Sequence, residues 1–213
     1  MNADIESPAA QAGWRSAGYR LLSQLFRYPD KPFSLKAIEE WLSSGFPDQP
    51  RLPKVENLSD LQKEHIRLFH RNVFPFETAY VAQDSKTKEK IIADISWFYH
   101  EFGVDTFKIN HDVDTLVEEL EFMAWLSSKE ERALMVGNLE NACVYHEAEG
   151  KFLREHLGRW LPAFLTDFRT AEANAFFRVV AEIAEAFLRR ELDREFSLSW
   201  EEISRGIPAL RNV

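Results

Sequence analysis

Apolar side chains recur three and four positions apart along nearly the whole chain, and no stretch alternates apolar with polar residues as a half-buried strand would. That spacing restricts the fold to helices packed on helices: an all-α chain of about eight helices, with no β-sheet. Breaks in the pattern mark the elements. A first helix opens at Ser7-Pro8, where proline at the first helical position forfeits no hydrogen bond. It carries Trp14, Gly18, Leu21, Leu22 and Leu25 and stops before Pro29. A short helix runs from about Ser34 to Gly45, and the proline-rich connector FPDQPRLPKVEN follows. The SDLQ capping box, Ser59 to Gln62, opens a helix with Leu61, His65, Leu68 and Phe69 on one side.

After a loop, a helix from about Lys86 to Phe102, closed by Gly103, aligns Ile91, Ile95, Phe98, Tyr99 and Phe102. Another follows in HDVDTLVEELEFMAWL, and SKEE from Ser128 reads as the cap of a further one. Helical segments surround WLPAFL. The last helix, about Ala171 to Arg194, sets Phe176, Phe177, Val180, Ile183, Ala184 and Phe187 against a polar side of Arg178, Glu182 and Arg189. The expected organisation is one helical domain over 1–213, with a hinge near 104–110 between two lobes. Such a hinge permits exchange between chains, so monomer and homodimer both stay open. From about Glu195 the periodicity fades into a loose tail, with a capping box at SWEE.

Bulk properties exclude several functions. A net charge of −9 argues against nucleic acid and anionic membranes and favours a basic peptide as partner. Cys143 stands alone, so neither a disulfide framework nor a cysteine metal site is expected. The opening MNADIESPAAQAG lacks the basic and apolar regions of an export signal. No apolar run approaches the roughly 20 residues of a membrane span. The expectation is a cytoplasmic chain without stable membrane insertion.

Signatures of catalysis are missing. There is no glycine-rich phosphate loop and no G-x-S-x-G elbow. His65 and His70 stand five apart, about 140° around a helix, which one ion cannot bridge. HEAEGKFLREH opens like a zinc-peptidase motif, but its second histidine comes too late. A metal-assisted hydrolase built from His111 and the acids after it is the rival reading, and it lacks ligand spacing. No catalytic residue, metal or cofactor is therefore expected.

Features suited to binding are easier to find. NVFPFETAYVAQD, between two helices, places Phe74, Phe76 and Tyr80 where water would reach them. On a helical wheel Asp114, Glu118 and Glu121 share a side with Phe122 and Trp125, opposite Leu116, Val117, Leu120, Met123 and Ala124. Such a helix touches structure on both sides. Its carboxylates and rings suit arginine, although helix-end preference and ordinary core packing account for the same residues. Trp97 lies opposite its helix's apolar stripe, beside Lys90, Asp94 and Glu101, where it packs under a neighbour or lines a surface.

Five segments in order carry a resemblance: YRLLSQLFRYP, EHIRLFHRNVFPFETAY, HDVDTLVEELEFMAWL, FLREHLGRWLPAFL and FFRVVAEIAEAFL. Together they resemble the TorD/DmsD family of redox-enzyme maturation chaperones, whose wider membership includes the nitrate reductase delta type. The resemblance implies a TorD-like multi-helix bundle with no cofactor of its own. It implies a cytoplasmic chaperone that binds the twin-arginine leader, the mature body, or both, of a molybdopterin-dependent oxidoreductase subunit. Such a chaperone delays export until the client has its cofactor; the nitrate-reductase type serves a client without an exported leader. The family's binding loop maps onto Pro75, Phe76, Glu77, Thr78 and Tyr80, and its Asp-His pair onto Asp114 and Thr115. Thr115 departs from that pattern, since a hydroxyl can hydrogen-bond but cannot titrate near neutral pH. The expected peptide site adds Trp97, Glu118, Glu121 and Trp125 to these residues.

Overall fold

The computed structural model describes residues 7–46, 51–104 and 112–197. In chain order the helices are α1 (Pro8–Phe26), α2 (Leu35–Gly45), α3 (Leu58–Arg67), α4 (Glu77–Val81), α5 (Ser85–Glu101), α6 (Leu116–Met135), α7 (Leu139–Phe152), α8 (Gly158–Thr170) and α9 (Ala175–Ser197). Wider π turns at Leu68–Asn72 and Leu153–Leu157 continue α3 and join α7 to α8. Among the described residues the only β pairing is a single bridge between Phe76 and Thr115. The chain is all-α, as its periodicity predicts, and no described helix is long and apolar enough to cross a membrane.

Helix ends follow local chemistry. The Ser7 hydroxyl accepts from the Ala10 amide at 3.1 Å and Pro8 occupies the first turn. Gly103, with φ at 75°, takes the left-handed conformation that ends α5. Two capping boxes fall elsewhere than expected. Asn57, not Ser59, caps α3, its side chain accepting from the Ser59 amide at 2.9 Å. SKEE lies inside α6, which runs unbroken to Met135. Its amides already have partners one turn back, and the buried stripe continues from Leu126 to Ala133, so nothing there needs a cap. WLPAFL likewise lies inside α8, where Pro162 is in the second turn. α9 continues to Ser197, past the Glu195 from which fading periodicity predicts a loose tail, and the rest of that expected tail lies outside the described residues. The hinge residues 105–110, His111 and the SWEE box lie outside the described residues.

α6 forms the centre, packed on α1 along one side and α7 along the other. The crossing of α1 with its neighbours is tight at Gly18, where a Cβ would stand 2.5 Å from Trp41 and 2.6 Å from Phe187. Trp14 stacks on Trp41 with ring centres 5.1 Å apart, and Phe26, Phe69, Phe164, Phe168 and Phe177 extend the aromatic core. Burial of one such ring contributes about 1.5–3 kcal/mol.

An ionic knot ties four helices within this core. Arg15 of α1 reaches Glu130 of α6 at 2.5 Å and Glu149 of α7 at 2.9 Å, and lies 3.8 Å from Glu191 of α9. Arg194 meets Glu149 and Glu191 at 3.2 and 3.3 Å, and His146 donates to Glu130 at 3.2 Å. Burial opposes ionisation of Glu130, but Arg15 and His146 win and hold its carboxyl at about 2. The polar knot fixes which faces of α1, α6, α7 and α9 meet.

Candidate functional site

The π turn after α3 buries Leu68 and Phe69 and then delivers the chain to Pro75 and Phe76, with Phe74 standing 58% exposed. Two backbone bonds fasten this loop to the start of α6. The Leu116 amide donates to the Pro75 carbonyl at 2.9 Å, and the Glu77 amide to the Asp114 carbonyl at 2.9 Å. The Asp114 carboxylate is buried and accepts from the Thr78 amide at 3.1 Å and its hydroxyl at 2.6 Å. Thr115 caps α6, its hydroxyl accepting from the Glu118 amide at 3.2 Å. Asp114 therefore precedes the helix instead of sitting on its wheel. The short helix α4 forms directly after this docking point.

Beneath the loop lies a second polar cluster. Glu77, fully buried, accepts from His156 Nδ1 at 3.0 Å, while His156 Nε2 lies 3.4 Å from Asp94 of α5. Glu119 of α6, also fully buried, accepts from Trp160 Nε1 at 3.0 Å and hydrogen-bonds the Glu77 carboxyl. Burial, and then the charge of Glu77, hold the Glu119 carboxyl well above the usual carboxylate range. One proton between the two carboxyls satisfies the oxygens that otherwise lack a donor, Oε1 of each.

A groove of about 800 Å³ opens beside the docked loop. Its walls are the last residue of α1 and the two after it (Phe26, Arg27, Tyr28), one side of α3 and its π turn (His65, Phe69, His70), the loop residues Pro75 and Phe76, and the first turn of α6 with Asp112 before it. Aromatic rings dominate the floor. Asp112 and Glu118 bring negative charge to it, and Arg27 at the opposite wall is ion-paired with Glu121. Open clefts with apolar walls and a few placed polar groups are the usual form of a ligand site.

The expected site residues divide between this groove and other places. Pro75, Phe76, Thr115 and Glu118 line it. Glu77, Thr78 and Asp114 are buried directly behind, where they hold the loop in position. Glu121 pairs with Arg27 and accepts from the Ser23 hydroxyl at 3.1 Å. Tyr80 stacks on Trp160 with centres 5.7 Å apart, and burial together with Asp167 raises its phenol pKa. Trp97, half exposed, lies beneath Lys151 at 5.5 Å, and Trp125 beneath Lys129 at 4.9 Å; neither lines the groove. Arg27, Tyr28, His65 and His70 are groove residues that sequence reasoning missed. Tyr28 carried one signal, an aromatic placed where the helix pattern had just ended. Among the described residues no group of three His, Cys, Asp or Glu side chains converges to hold a metal.

Comparison with known proteins shows the chain's family. The family model described as nitrate reductase delta subunit matches residues 32–166. The chain is 30% identical to the perchlorate reductase assembly chaperone protein of Dechloromonas aromatica (strain RCB), over 75% of this chain and 73% of that one. It is 32% identical to the chlorate reductase assembly chaperone protein of Ideonella dechloratans, over 77% and 79% of the two chains. The selenate reductase assembly chaperone protein of Thauera selenatis is 30% identical over the same shares. All three are named as chaperones and none as a catalyst. The chain belongs to the nitrate reductase delta subunit family of TorD-like redox-enzyme maturation chaperones.

Proposed function

We propose that this chain is an assembly chaperone for a molybdopterin-dependent oxidoreductase subunit, and that it holds its client through the groove between α1, α3 and the docked Pro75–Phe76 loop. It is not an enzyme, and its action makes and breaks no bond. The observation that carries the reading is the coincidence of the family's binding loop with an open aromatic groove that has carboxylates on its wall. Apolar leader residues bury against Phe76, Phe69 and Val117, each anchor contributing about 1–3 kcal/mol. The leader's arginines meet Asp112 and Glu118, the carboxylates that line the groove, while Asp114 is buried behind it. A client that folds around its cofactor withdraws the leader from reach of the groove, and export then follows.

The test is titration of a twin-arginine leader peptide into wild type, Val117→Arg and Glu118→Gln. Val117 is half-buried on the groove wall, so an arginine there blocks the floor without opening a core cavity. Expected are clear binding by wild type, severe loss in Val117→Arg, and several-fold loss in Glu118→Gln. Equal affinities across the three would remove the groove from the mechanism. A client without an exported leader is the second reading, favoured by the family match. In that case the peptide fails with every protein, and the unfolded mature subunit binds in a Val117-dependent way.

A further inference from the structure

His65 is 6% exposed and lines the groove, yet the assigned peptide residues leave it without a task. Its Nε2 lies 3.0 Å from the Phe26 carbonyl oxygen. A carbonyl only accepts, so the proton is on Nε2 and Nδ1 carries a lone pair. No donor among the described residues reaches Nδ1, although the atom is buried. Unpaired buried acceptors are rare and call for a physical reason.

The surroundings restrict what can supply a donor. Burial, more than the Phe26 bond or the nearby His70, sets the ring's acidity and moves its pKa below the ordinary histidine value. The ring is therefore a neutral, fixed acceptor at neutral pH. Phe69 packs against it with centres 4.3 Å apart, and Tyr28 stands edge-on at 5.5 Å while remaining 43% exposed. Aromatic rings beside a neutral acceptor, with Asp112 and Glu118 on the same groove, match a planar, weakly hydrated cation with several N–H donors. A lysine ammonium would have to give up far more hydration in such surroundings.

The geometry points to His65 as a specificity-determining residue: its Nδ1 accepts an N–H from an arginine guanidinium of the bound peptide. This rests on the proposed groove as the peptide site. Tyr28, the exposed neighbour of the ring, is the side chain that turns aside to admit the guanidinium. The bond selects arginine by direction as well as charge, which carboxylates alone do not.

The test pairs one variant with one spectroscopic measurement. His65→Gln places its amide where Nε2 was, so it keeps the donor to the Phe26 carbonyl and loses the Nδ1 acceptor. Nitrogen-15 spectra of histidine-labelled wild type report Nδ1 directly, before and after saturation with the twin-arginine peptide. Expected are an Nδ1 resonance displaced toward the hydrogen-bonded position, and affinity for His65→Gln roughly tenfold weaker, as loss of one charge-assisted bond implies. A peptide with both arginines replaced by norleucine should leave Nδ1 where it is in the free protein. An unmoved Nδ1 resonance in the saturated complex overturns the inference, as does wild-type affinity in a folded His65→Gln. Either result, with Val117→Arg still defective, leaves the groove reading standing. Failure of wild type to bind the peptide would overturn the arginine contact and leave the groove to the mature-subunit test, whereas full binding by Val117→Arg would count against the groove itself.

Discussion

Glu119→Gln should make the protein more stable at neutral pH, although it removes a charged-type residue from the centre of the fold. Two ionised carboxyls in hydrogen-bond contact would repel by about 5 kcal/mol at an effective dielectric of about 20. Burial raises that cost, so Glu119 keeps its proton while Glu77 stays paired with His156. The folded pKa of Glu119 is thus raised above its unfolded value. The contribution is fully present below the unfolded pKa, about 4.3, and is lost as pH rises toward the folded pKa. Over that window stability falls by up to about 1.4 kcal/mol per pH unit for the one proton retained. Glutamine reproduces the protonated acid: its carbonyl accepts from Trp160 and its amide donates to Glu77. It takes up no proton, so this part of the slope vanishes. The difference between variant and wild type should therefore grow steadily as pH rises above the unfolded pKa. Urea unfolding followed by tryptophan fluorescence over a pH series measures it. Glu191, also raised by burial, is present in both proteins and cancels in the difference. Parallel stability curves for the two proteins would refute the shared proton.

Other perturbations have defined outcomes. Glu77→Ala should destabilise by about 1–3 kcal/mol for each buried group left unpaired, since it strands the His156 Nδ1–H and the Glu119 carboxyl, and thermal melts would register the loss. Glu130, held at about 2, contributes stability above its unfolded pKa that disappears as pH falls toward about 2, roughly 3 kcal/mol in all; Glu130→Gln should flatten the acid limb of the stability curve. Gly18→Ala should cost about 1–3 kcal/mol by forcing Trp41 and Phe187 aside, read as a lower urea midpoint at unchanged slope. Leader binding should weaken as salt rises, and Glu118→Gln should reduce that dependence in titrations at several ionic strengths.

The fold was legible because each helix advertises itself locally. Ser7-Pro8 opens α1, Gly103 closes α5, and the buried stripe of α9 from Phe176 to Phe187 follows from spacing alone. The site was legible only in part. Pro75, Phe76, Thr115 and Glu118 could be found because they are near one another on two short segments. Tyr28 follows α1 and His65 belongs to α3, and only tertiary packing brings them across from the loop. Asp114 shows the opposite difficulty. An acid in a helix-start segment looks available to a ligand, and local pattern does not reveal that Thr78, thirty-six positions earlier, occupies it.

These placements change what the loop's acidic and polar residues are for. Glu77, Thr78 and Asp114 are buried behind the loop, and their hydrogen bonds hold Pro75 and Phe76 against the start of α6. Thr115, where the family pattern has histidine, caps α6 and forms part of the same anchor. An uncharged cap leaves that junction insensitive to protonation near neutral pH. The loop is consequently a wall pinned to the start of α6 by backbone and side-chain hydrogen bonds. On the proposed reading a pinned wall suits peptide binding, because ordering a loop at the same time costs about 1–2 kcal/mol per residue fixed. Adaptation to the client then falls to side chains at the groove's other rim, among which Tyr28 is the exposed one. Variants of the anchor should accordingly lower stability and binding together, whereas Tyr28→Ala, at an exposed position, should alter binding alone.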